Sequence, residues 1–556
     1  MRKILVIIMC VCICVILSCA VIMILTREKE ELNRPFHDAI VVLSREPSTP
    51  DRTVWPGETS DDPVLALHRA TPYVEYKGRT PTSISGAKYE RDEEQHFKYE
   101  IVREGYTARI VEYTGDRQRF AIPEKVNGKA VTAIGPDLLR QPGSNGEPVY
   151  YSVEIPDSVT DLDLTQLITS EWLKEIIVSP DHPTLCVIDG ALIRKTDGQL
   201  LFYPHTSNAI FWTIPDEVRS IGDYAFFHAV NLREIVIPDS VTIPGANPFW
   251  MCSSLASVRV SPDHPSLEVD GDFLISKEDR RLITCLNKSR GESYVIPDGV
   301  REIGDFAFTH CEVLQSVTFP AGLDRIGKKA FENCGFLQEI NTDARHIDSQ
   351  AFKDCVNLRT VRLTGAGTIG DRAFDSCLRM SEVTLPEGLT GIGYAAFNGC
   401  RGLESVEIPD TVTEMGNGVF NGCESLVSAR ISGGMAELSS GTFCNCPALA
   451  SVSLPEGLKT IGYDAFYKCA GLQSLKLPES LVSIKQDAFF NTGIRYLEIP
   501  AGVTEIEKTA HYGNSDSLWP ILVVVEGSYA EQFCREKGIE YLTGIPEQDE
   551  ENASKQ

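Results

Sequence analysis

Apolar and polar positions follow one another along this chain in a pattern that repeats about every 23 residues. The motif Ile-Gly-x-x-Ala-Phe-x-x-Cys occurs at 303–311, 392–400 and 461–469. Its cysteine recurs at positions 311, 334, 355, 377, 400, 423, 446 and 469. A period of this length is typical of a solenoid, in which each coil buries its apolar side only by stacking on its neighbours. The pattern therefore predicts one long stack of coils, and it favours a binding function.

Each unit divides into two extended segments joined by a corner. In one unit, residues 403–409 alternate in their second half and end at Pro409, which cannot continue a strand ladder. The second segment, 412–416, leads to the corner residues Val419 and Phe420. We expect the apolar side chains to face inward and the stacked strands to form parallel sheets, about 4.8 Å from strand to strand. The glycine after the second segment is expected to permit a tight turn.

The β-rich solenoid is predicted to span residues 96–520 in about 15 coils. Two irregular inserts, near 178–210 and 260–295, begin with the same text, Val-Ser-Pro-Asp-His-Pro. Each copy leads to an acidic-glycine turn and a further pair of strand patterns. These features predict two longer coils, each carrying a hairpin and still part of the stack.

The C-terminal end has the sequence features of a cap. An apolar strand pattern begins at Ile521, and Ser528 with Glu531 has the spacing of a capping box at the start of a helix. Gly538 suits the end of that helix. We therefore predict a helical cap over 521–545, because an open stack would otherwise expose its last apolar coil to water. The acidic residues 546–556 are predicted to be a disordered tail.

The N-terminus differs in composition from the rest of the chain. Residues 4–25 carry no charge and, as a helix, span roughly 33 Å, which is enough for a bilayer core. The basic stub 1–3 should stay cytoplasmic, so the chain after the helix lies outside. This predicts a single-pass transmembrane signal anchor, followed by a disordered stalk over the polar residues 26–95. Two alternatives remain open: a lipid anchor at Cys19, and a cleaved signal peptide that releases a secreted protein.

The charge balance narrows the range of partners. The chain has 52 basic and 78 acidic residues, which gives a net charge of −26 and an isoelectric point near 4.9. Such a chain repels the phosphates of DNA and RNA, so nucleic-acid binding is not expected. The same charge keeps an extended protein soluble.

The cysteines are distributed unlike those of a disulfide framework. Of the 17 cysteines, four lie within residues 4–25, and most of the others occupy the single repeat position described above. A disulfide framework has paired, irregular spacings. One cysteine per coil instead predicts a ladder of small, buried, reduced thiols. Ala229 and Thr492 hold this position in two other coils, as a packing site allows.

Motifs that would indicate catalysis or a bound metal are missing from the sequence. His264 lies in the repeated Pro-Asp-His-Pro text, which favours a turn over a catalytic site. Cys444 and Cys446 form a CxC pair without further ligands, and residues 268–272 lack the distal glutamate of a calcium-binding loop. No HExxH, GxSxG, Walker or dinucleotide motif is found. We therefore expect no enzyme, no cofactor and no metal.

The repeat unit IPxxVxxIGxxAFxxCxxLxxVxI resembles the BspA-like leucine-rich repeats found on surface proteins of bacteria and some protozoa. Residues 296–304 and 408–412 are near-ideal copies, and the resemblance covers about residues 97–545. It implies a right-handed leucine-rich repeat solenoid with an extracellular role in adhesion or recognition. It supplies no fixed ligand residues. The sequence departs from the pattern where glycine is missing after Ile347 and Leu438, which predicts a bend or a local contact.

The candidate ligand surface is an outward ladder. In the segment LxxVxI, the residue between the last two apolar positions should point to solvent and stack from coil to coil. Arginine and tyrosine near the C-terminal end add a pair typical of binding hot spots. The candidate residues are Arg362, Thr384, Glu407, Arg430, Lys476, Arg495, Tyr496 and Glu498. The alternative interpretation is an ordinary solvated sheet face with charge pairs between coils.

These features favour a non-catalytic extracellular recognition or adhesion protein that binds protein or glycan ligands through the solenoid surface. The alternative from another class is a structural envelope protein that binds cell wall or assembles with copies of itself. The pattern does not indicate an oligomeric state, since outward positions are not constrained by packing.

Overall fold

The structure is a computed structural model. It describes residues 96–102, 107–113, 115, 118–134, 138–139, 151–162, 173–204, 207–245, 247–286, 288, 290–365, 367–507 and 520–544. The predicted stub 1–3, anchor 4–25, stalk 26–95 and tail 546–556 lie outside the described residues. Within them, no helix has the length and apolar character needed to cross a membrane.

The N-terminal part combines a hairpin with the first coils. Its strands are β1 (Phe97–Val102), β2 (Thr107–Tyr113), β3 (Arg119–Ala121), β4 (Lys125–Val126), β5 (Lys129–Ile134), β6 (Tyr151–Ile155), β7 (Asp161–Leu162) and β8 (Leu173–Val178). β1 and β2 pair in antiparallel fashion, and β2 runs parallel to β5. β3, β6 and β8 form a parallel sheet. Parallel stacking of successive coils therefore begins with the first recognisable repeat.

The two inserts are three-stranded antiparallel meanders. The strands of this part are β9 (Leu185–Ile188), β10 (Ala191–Arg194), β11 (Gln199–Phe202), β12 (Phe211–Thr213), β13 (Ser220–Ile221), β14 (Glu234–Val236), β15 (Ile243–Pro244), β16 (Ser257–Arg259), β17 (Leu267–Asp270), β18 (Phe273–Ser276) and β19 (Arg281–Cys285). β9–β10–β11 and β17–β18–β19 are antiparallel, whereas β11 and β19 pair in parallel with the next coil. Each insert thus contains the expected hairpin and stays in the stack.

The remaining coils each contribute a front strand, from the LxxVxI segment, and most contribute a back strand that ends just before the glycine position. The strands are β20 (Ser293–Val295), β21 (Glu302–Ile303), β22 (Ser316–Thr318), β23 (Arg325–Ile326), β24 (Glu339–Thr342), β25 (His346–Ile347), β26 (Thr360–Leu363), β27 (Thr368–Ile369), β28 (Glu382–Thr384), β29 (Gly391–Ile392), β30 (Ser405–Glu407), β31 (Glu414–Met415), β32 (Ser428–Arg430), β33 (Glu437–Leu438), β34 (Ser451–Ser453), β35 (Thr460–Ile461), β36 (Ser483–Ile484), β37 (Tyr496–Glu498) and β38 (Glu505–Ile506). Back strands from β17 to β31 form one nine-stranded sheet. The stack has about 17 turns, more than expected, because the N-terminal coils depart from the consensus.

The last elements are β39 (Ile521–Val523), helix α1 (Tyr529–Lys537) and β40 (Tyr541–Leu542). The predicted helix is present. The Ser528 hydroxyl accepts a hydrogen bond from the Glu531 N–H at 3.3 Å, and the Glu531 carboxylate accepts one from the Gly527 N–H at 2.7 Å. Gly538 has a φ of 65°, which suits the residue that ends a helix. The capping interactions therefore follow the sequence closely.

The core of the regular coils is a ladder of stacked phenylalanine rings. Neighbouring ring centroids lie 4.7–5.7 Å apart, and the ring planes differ by at most 18°. The rings belong to Phe308, Phe331, Phe352, Phe374, Phe397, Phe420, Phe443, Phe466 and Phe489, all fully buried. The inward apolar positions predicted from the sequence line this core, as shown by Leu403, Val406 and Ile408.

The cysteines form the predicted ladder beside the rings. All 13 cysteines in the described residues are free thiols, and most are buried. From Cys334 to Cys469, each ladder thiol lies 3.0–3.4 Å from the main-chain carbonyl of the phenylalanine in the preceding coil, to which it donates. This bond was not evident from the sequence. It explains why a small side chain with a donor recurs there, and the Thr492 hydroxyl likewise donates to the Phe489 carbonyl at 3.1 Å.

Burial makes these thiols unreactive, which alkylation can test. Burial raises the pKa of Cys469 to about 12, so almost none of it is thiolate, the reactive form, at pH 8. Cys444 is only half-buried. We expect iodoacetamide to modify Cys444 in the native full-length chain and Cys469 only after unfolding, as measured by mass spectrometry of proteolytic peptides. Equal rates at both cysteines would contradict a tightly packed ladder.

The repeated glycine has a different role from the one expected. Gly304 and its equivalents do not have the positive φ of a tight glycine turn; a Cβ at Gly304 would lie 2.8 Å from the Leu282 carbonyl oxygen of the previous coil. Glycine is therefore needed for the close approach of two backbones. The left-handed residues of the corner are instead Phe306 and His310, with φ of 57° and 59°.

Candidate functional site

The front strands form a face on which outward side chains lie in columns. Each three-residue front strand buries its central residue and directs its two flanking side chains to solvent, because side chains alternate along a strand. In β22, Val317 is buried and Thr318 is exposed; in β32, Ala429 is buried and Arg430 is exposed. Parallel pairing in register then places equivalent residues of successive coils next to each other. We call these outward columns the front face.

The sequence-predicted residues lie on this face or beside it. Arg362 on β26 and Thr384 on β28 are register partners, and so are Glu407 on β30 and Arg430 on β32. These side chains are exposed, as are those of Lys476, Arg495 and Glu498, while Tyr496 is half-buried. The predicted residues are therefore outward-facing. Whether they bind a ligand remains a prediction.

Several charges on the face pair with one another. Nη2 of Arg362 lies 3.9 Å from Oε2 of Glu382 on the neighbouring strand. Nη2 of Arg430 lies 2.8 and 2.9 Å from the two carboxylate oxygens of Asp410. The Gly433 N–H and the Arg430 guanidinium together lower the pKa of Asp410. Such exposed pairs contribute little stability, at most about 1 kcal/mol each. They leave the side chains able to exchange partners.

The C-terminal end of the face has a different local structure. Lys476 is exposed on an extended segment outside the assigned strands, between β34 and β37. The guanidinium carbon of Arg495 lies 5.0 Å from the ring centroid of Tyr496, a cation–π distance. Tyr496 and Glu498 belong to β37, whose neighbour is β39 of the cap. The predicted arginine–tyrosine pair is thus in direct contact.

The coils that lack the consensus glycine make contacts with the neighbouring coil, as one of the two expectations for these positions held. Asp348, which follows Ile347, accepts hydrogen bonds from Arg325 at 2.8 and 2.5 Å. Arg325 also bonds Glu302 at 2.5 Å and Asp305 at 2.9 Å. Ser439, which follows Leu438, donates to the Met415 carbonyl at 2.5 Å. This back-face cluster around Arg325 was not predicted, although Glu302 and Arg325 share one repeat position.

The two histidines of the inserts are turn residues. His264 is fully buried, and its Nδ1 accepts hydrogen bonds from the Ser266 and Leu267 N–H groups at 3.2 and 3.1 Å. Its Nε2 lies 3.2 Å from the Pro238 carbonyl oxygen, to which it donates. His182 is also fully buried and accepts from Thr184 and Leu185 in the same way. These contacts confirm the interpretation of this text as a turn.

These histidines should make the protein less stable in acid. Burial lowers the pKa of His264 below its ordinary value of 6.5, so the unfolded chain binds a proton more readily than the folded one. The stability due to neutral His264 is complete above about pH 6.5 and is lost as the pH falls through that value towards the folded pKa. We expect His264→Asn, which keeps an acceptor near the Nδ1 position, to flatten the decline in melting temperature between pH 7.5 and 5. An unchanged slope would contradict this role.

No group of three or more histidine, cysteine, aspartate or glutamate side chains in the described ranges has the arrangement of a metal site. Cys444 accepts a hydrogen bond from the Asn445 side chain, and Glu268 pairs with Arg280. Gly271 has a φ of 56° at the tip of the β17–β18 hairpin. Residues 268–272 therefore form a hairpin turn.

Comparison with known families decides the identity of the repeat. The model of the BspA type leucine rich repeat region matches residues 199–269, 284–404 and 390–517 in six copies, which together cover more than half of the chain. The chain belongs to the BspA-type leucine-rich repeat family. The resemblance inferred from the motif is confirmed. A comparison with curated proteins gives no match.

Solved leucine-rich repeat structures resemble this chain. A leucine-rich repeat protein from Bacteroides ovatus is 21% identical, with 74% of this chain and 89% of that chain covered and a TM-score of 0.38. A leucine rich cell surface protein from Faecalibacterium prausnitzii is 20% identical, with coverages of 76% and 96% and a TM-score of 0.29. The pneumococcal vaccine antigen PcpA is 19% identical, with coverages of 73% and 92% and a TM-score of 0.30. At these TM-scores the likenesses say nothing further about this BspA-type protein.

Proposed function

We propose that this BspA-type protein is a non-catalytic, extracellular recognition or adhesion protein that binds a protein or glycan ligand through its front face. The observation that carries the proposal is the set of exposed, in-register columns on this face, which include Arg362, Glu407 and Arg430. A repeat surface of this kind offers many adjacent polar contacts on a scaffold fixed by its core. Residues 4–25 are proposed to anchor the chain in the membrane, with a lipid anchor at Cys19 or secretion as alternatives.

The arginines and the lysine make the front face the better candidate surface. Arg430, Lys476 and Arg495 are exposed side chains near the C-terminal end of the stack, in a chain with a net charge of −26. Arg495 contacts the ring of Tyr496. Arginine and tyrosine are enriched among residues that dominate binding energy, because they combine apolar area with hydrogen bonding. This part of the face therefore suits ligands with carboxylate, sulfate or hydroxyl groups.

The test is binding of the full-length chain in detergent to arrays of extracellular-matrix proteins, mucins and glycans, with purified cell wall as comparator. We expect saturable binding to a foreign ligand, weakened about tenfold or more by Arg430→Glu with Lys476→Glu, a loss of about 1.4 kcal/mol. The matched control is Arg301→Glu with Arg345→Glu, which makes the same charge change at exposed positions beside back strands. Binding to cell wall or to itself alone would reject this proposal in favour of a structural envelope role.

A further inference from the structure

The front face is interrupted where the second insert enters the stack. The meander β17–β18–β19 adds strands to the back sheet, whereas the front strands on either side of it, β16 and β20, belong to different sheets. Within the described residues, no backbone hydrogen bond joins residues 253–262 to residues 286–296. By contrast, the break between β22 and β24 is bridged by the Gln338 N–H, which donates to the Gln315 carbonyl at 3.1 Å. The insert therefore leaves β20 as the first strand of a new front sheet.

The free edge of β20 consists of Ser293 and Val295. β20 pairs with β22 on one side only, and the Ser316 N–H donates to the Glu292 carbonyl while the Ile296 N–H donates to that of Thr318. In a parallel ladder, alternate residues direct both main-chain groups to the same neighbour. Glu292, Tyr294 and Ile296 therefore serve β22, and the N–H and C=O groups of Ser293 and Val295 point the other way. They have no main-chain partner within the described part of the chain.

The side chains of this edge add an apolar contact. Val295 is 69% exposed, more than any other large apolar side chain in the described residues. It sits on the front face opposite Thr318 of the next coil, in a column that is otherwise polar or charged from Thr318 to Glu498. Nothing in the packing of the coil explains an exposed valine at this position. An apolar residue on a neighbouring strand would cover it, since side chains of adjacent strands contact each other on one face.

We propose that the edge of β20 binds an extended segment of a partner protein, which adds a strand to the front sheet beside Ser293 and Val295. The main-chain groups of these two residues would bond the added strand, and an apolar side chain of the partner would cover Val295. Unpaired main-chain groups at a strand edge are matched by another strand and by no glycan or membrane surface. The partner is thus a protein with an exposed, extended segment. This proposal deepens the recognition function and rests on it.

Proline substitution separates this edge from the internal ladder. Val295→Pro removes an N–H that has no partner in the chain, and proline is tolerated at the outer edge of a sheet. We expect the melting temperature to stay close to that of the unmodified protein. Thr318→Pro, at the register partner, removes an N–H that the ladder directs to β20, and it should lower the melting temperature clearly. Val295→Thr is the matched variant that keeps the N–H and a branched side chain.

The experiment selects binders from a displayed library of short random peptides on the immobilised full-length chain, and then measures synthetic copies. We expect a class of peptides whose affinity falls about tenfold or more with Val295→Pro, the equivalent of about 1.4 kcal/mol, and clearly less with Val295→Thr. Their binding should slow hydrogen exchange in the segment 290–296 of the unmodified chain. Peptides that bind without slowing exchange there overturn the proposal, and so does a library that yields no binders.

The two tests fail separately. Loss of array binding with Arg430→Glu and Lys476→Glu concerns the far end of the front face, seven or more coils from β20, and uses matrix proteins, mucins and glycans. The peptide selection concerns one strand edge and uses no such ligand. Array binding without peptide binding at β20 would leave the proposed function intact and reject the added strand.

Discussion

Replacing Phe466 by alanine is expected to destabilise the protein by about 3–5 kcal/mol, the range for removing a fully buried aromatic ring. The ring of Phe466 has no exposed surface and lies between Phe443 at 5.7 Å and Phe489 at 5.5 Å. Its removal leaves a cavity that the stack cannot close, because the thiol of Cys469 and the corner backbone on either side are held by hydrogen bonds. Urea unfolding of the full-length chain followed by circular dichroism measures the loss.

The effect should be local in structure. In a solenoid each coil contacts only its neighbours, so stability is a sum of coil and interface contributions. We therefore expect hydrogen exchange to accelerate first in the coils around residues 443–489, where the ring lies between its two neighbours. Uniform acceleration along the whole stack would mean that the coils unfold as one cooperative unit.

The control lies in the same coil. Tyr463 is three residues before Phe466, and its side chain is 45% exposed. Tyr463→Ala removes a ring of similar size from the surface and should change the free energy of unfolding by no more than about 0.5 kcal/mol. A similar loss for both variants would contradict the view that ring stacking in the core, rather than aromatic content, stabilises the coils.

The sequence predicted the fold because one residue type recurs at each packing position. Phenylalanine and cysteine return at a fixed spacing only if each coil presents them to the same neighbours, so periodicity alone indicated the ladder and the parallel sheets. The capping helix was predictable for a local reason, since Ser528 and Glu531 act within one turn. The hydrogen bond from each thiol to the carbonyl of the preceding coil joins atoms more than 20 residues apart, and no local pattern reports it.

The outward residues were predictable only in direction. Strand alternation places Thr318 or Arg430 on the surface, but the partners of these side chains depend on the neighbouring coils and on side-chain rotamers. The pairing of Arg430 with Asp410 joins two repeat positions that the ladder column does not include. The edge of β20 was also missed, because the repeated text at 178–183 and 260–265 announces an insert without indicating which sheet it lengthens.

The same coil geometry sets a second large effect, at Gly393. A Cβ on Gly393 would lie 2.5 Å from the main-chain N of Asp371 in the previous coil, and neither backbone has room to move. We expect Gly393→Ala to cost about 1–3 kcal/mol or more, because it forces two stacked coils apart. The loss should appear as a lower urea midpoint of the full-length chain.

Gly391, two residues earlier in β29, provides the control. The nearest atoms to a Cβ built there are 3.9 Å away, and its φ is not in the left-handed region. Gly391→Ala therefore introduces no clash, and it reduces the conformational freedom of the unfolded chain. We expect a gain of up to about 1 kcal/mol. If both alanines were equally harmful, the glycine of the repeat would serve backbone flexibility, and the close approach of stacked coils would not be the reason for its recurrence.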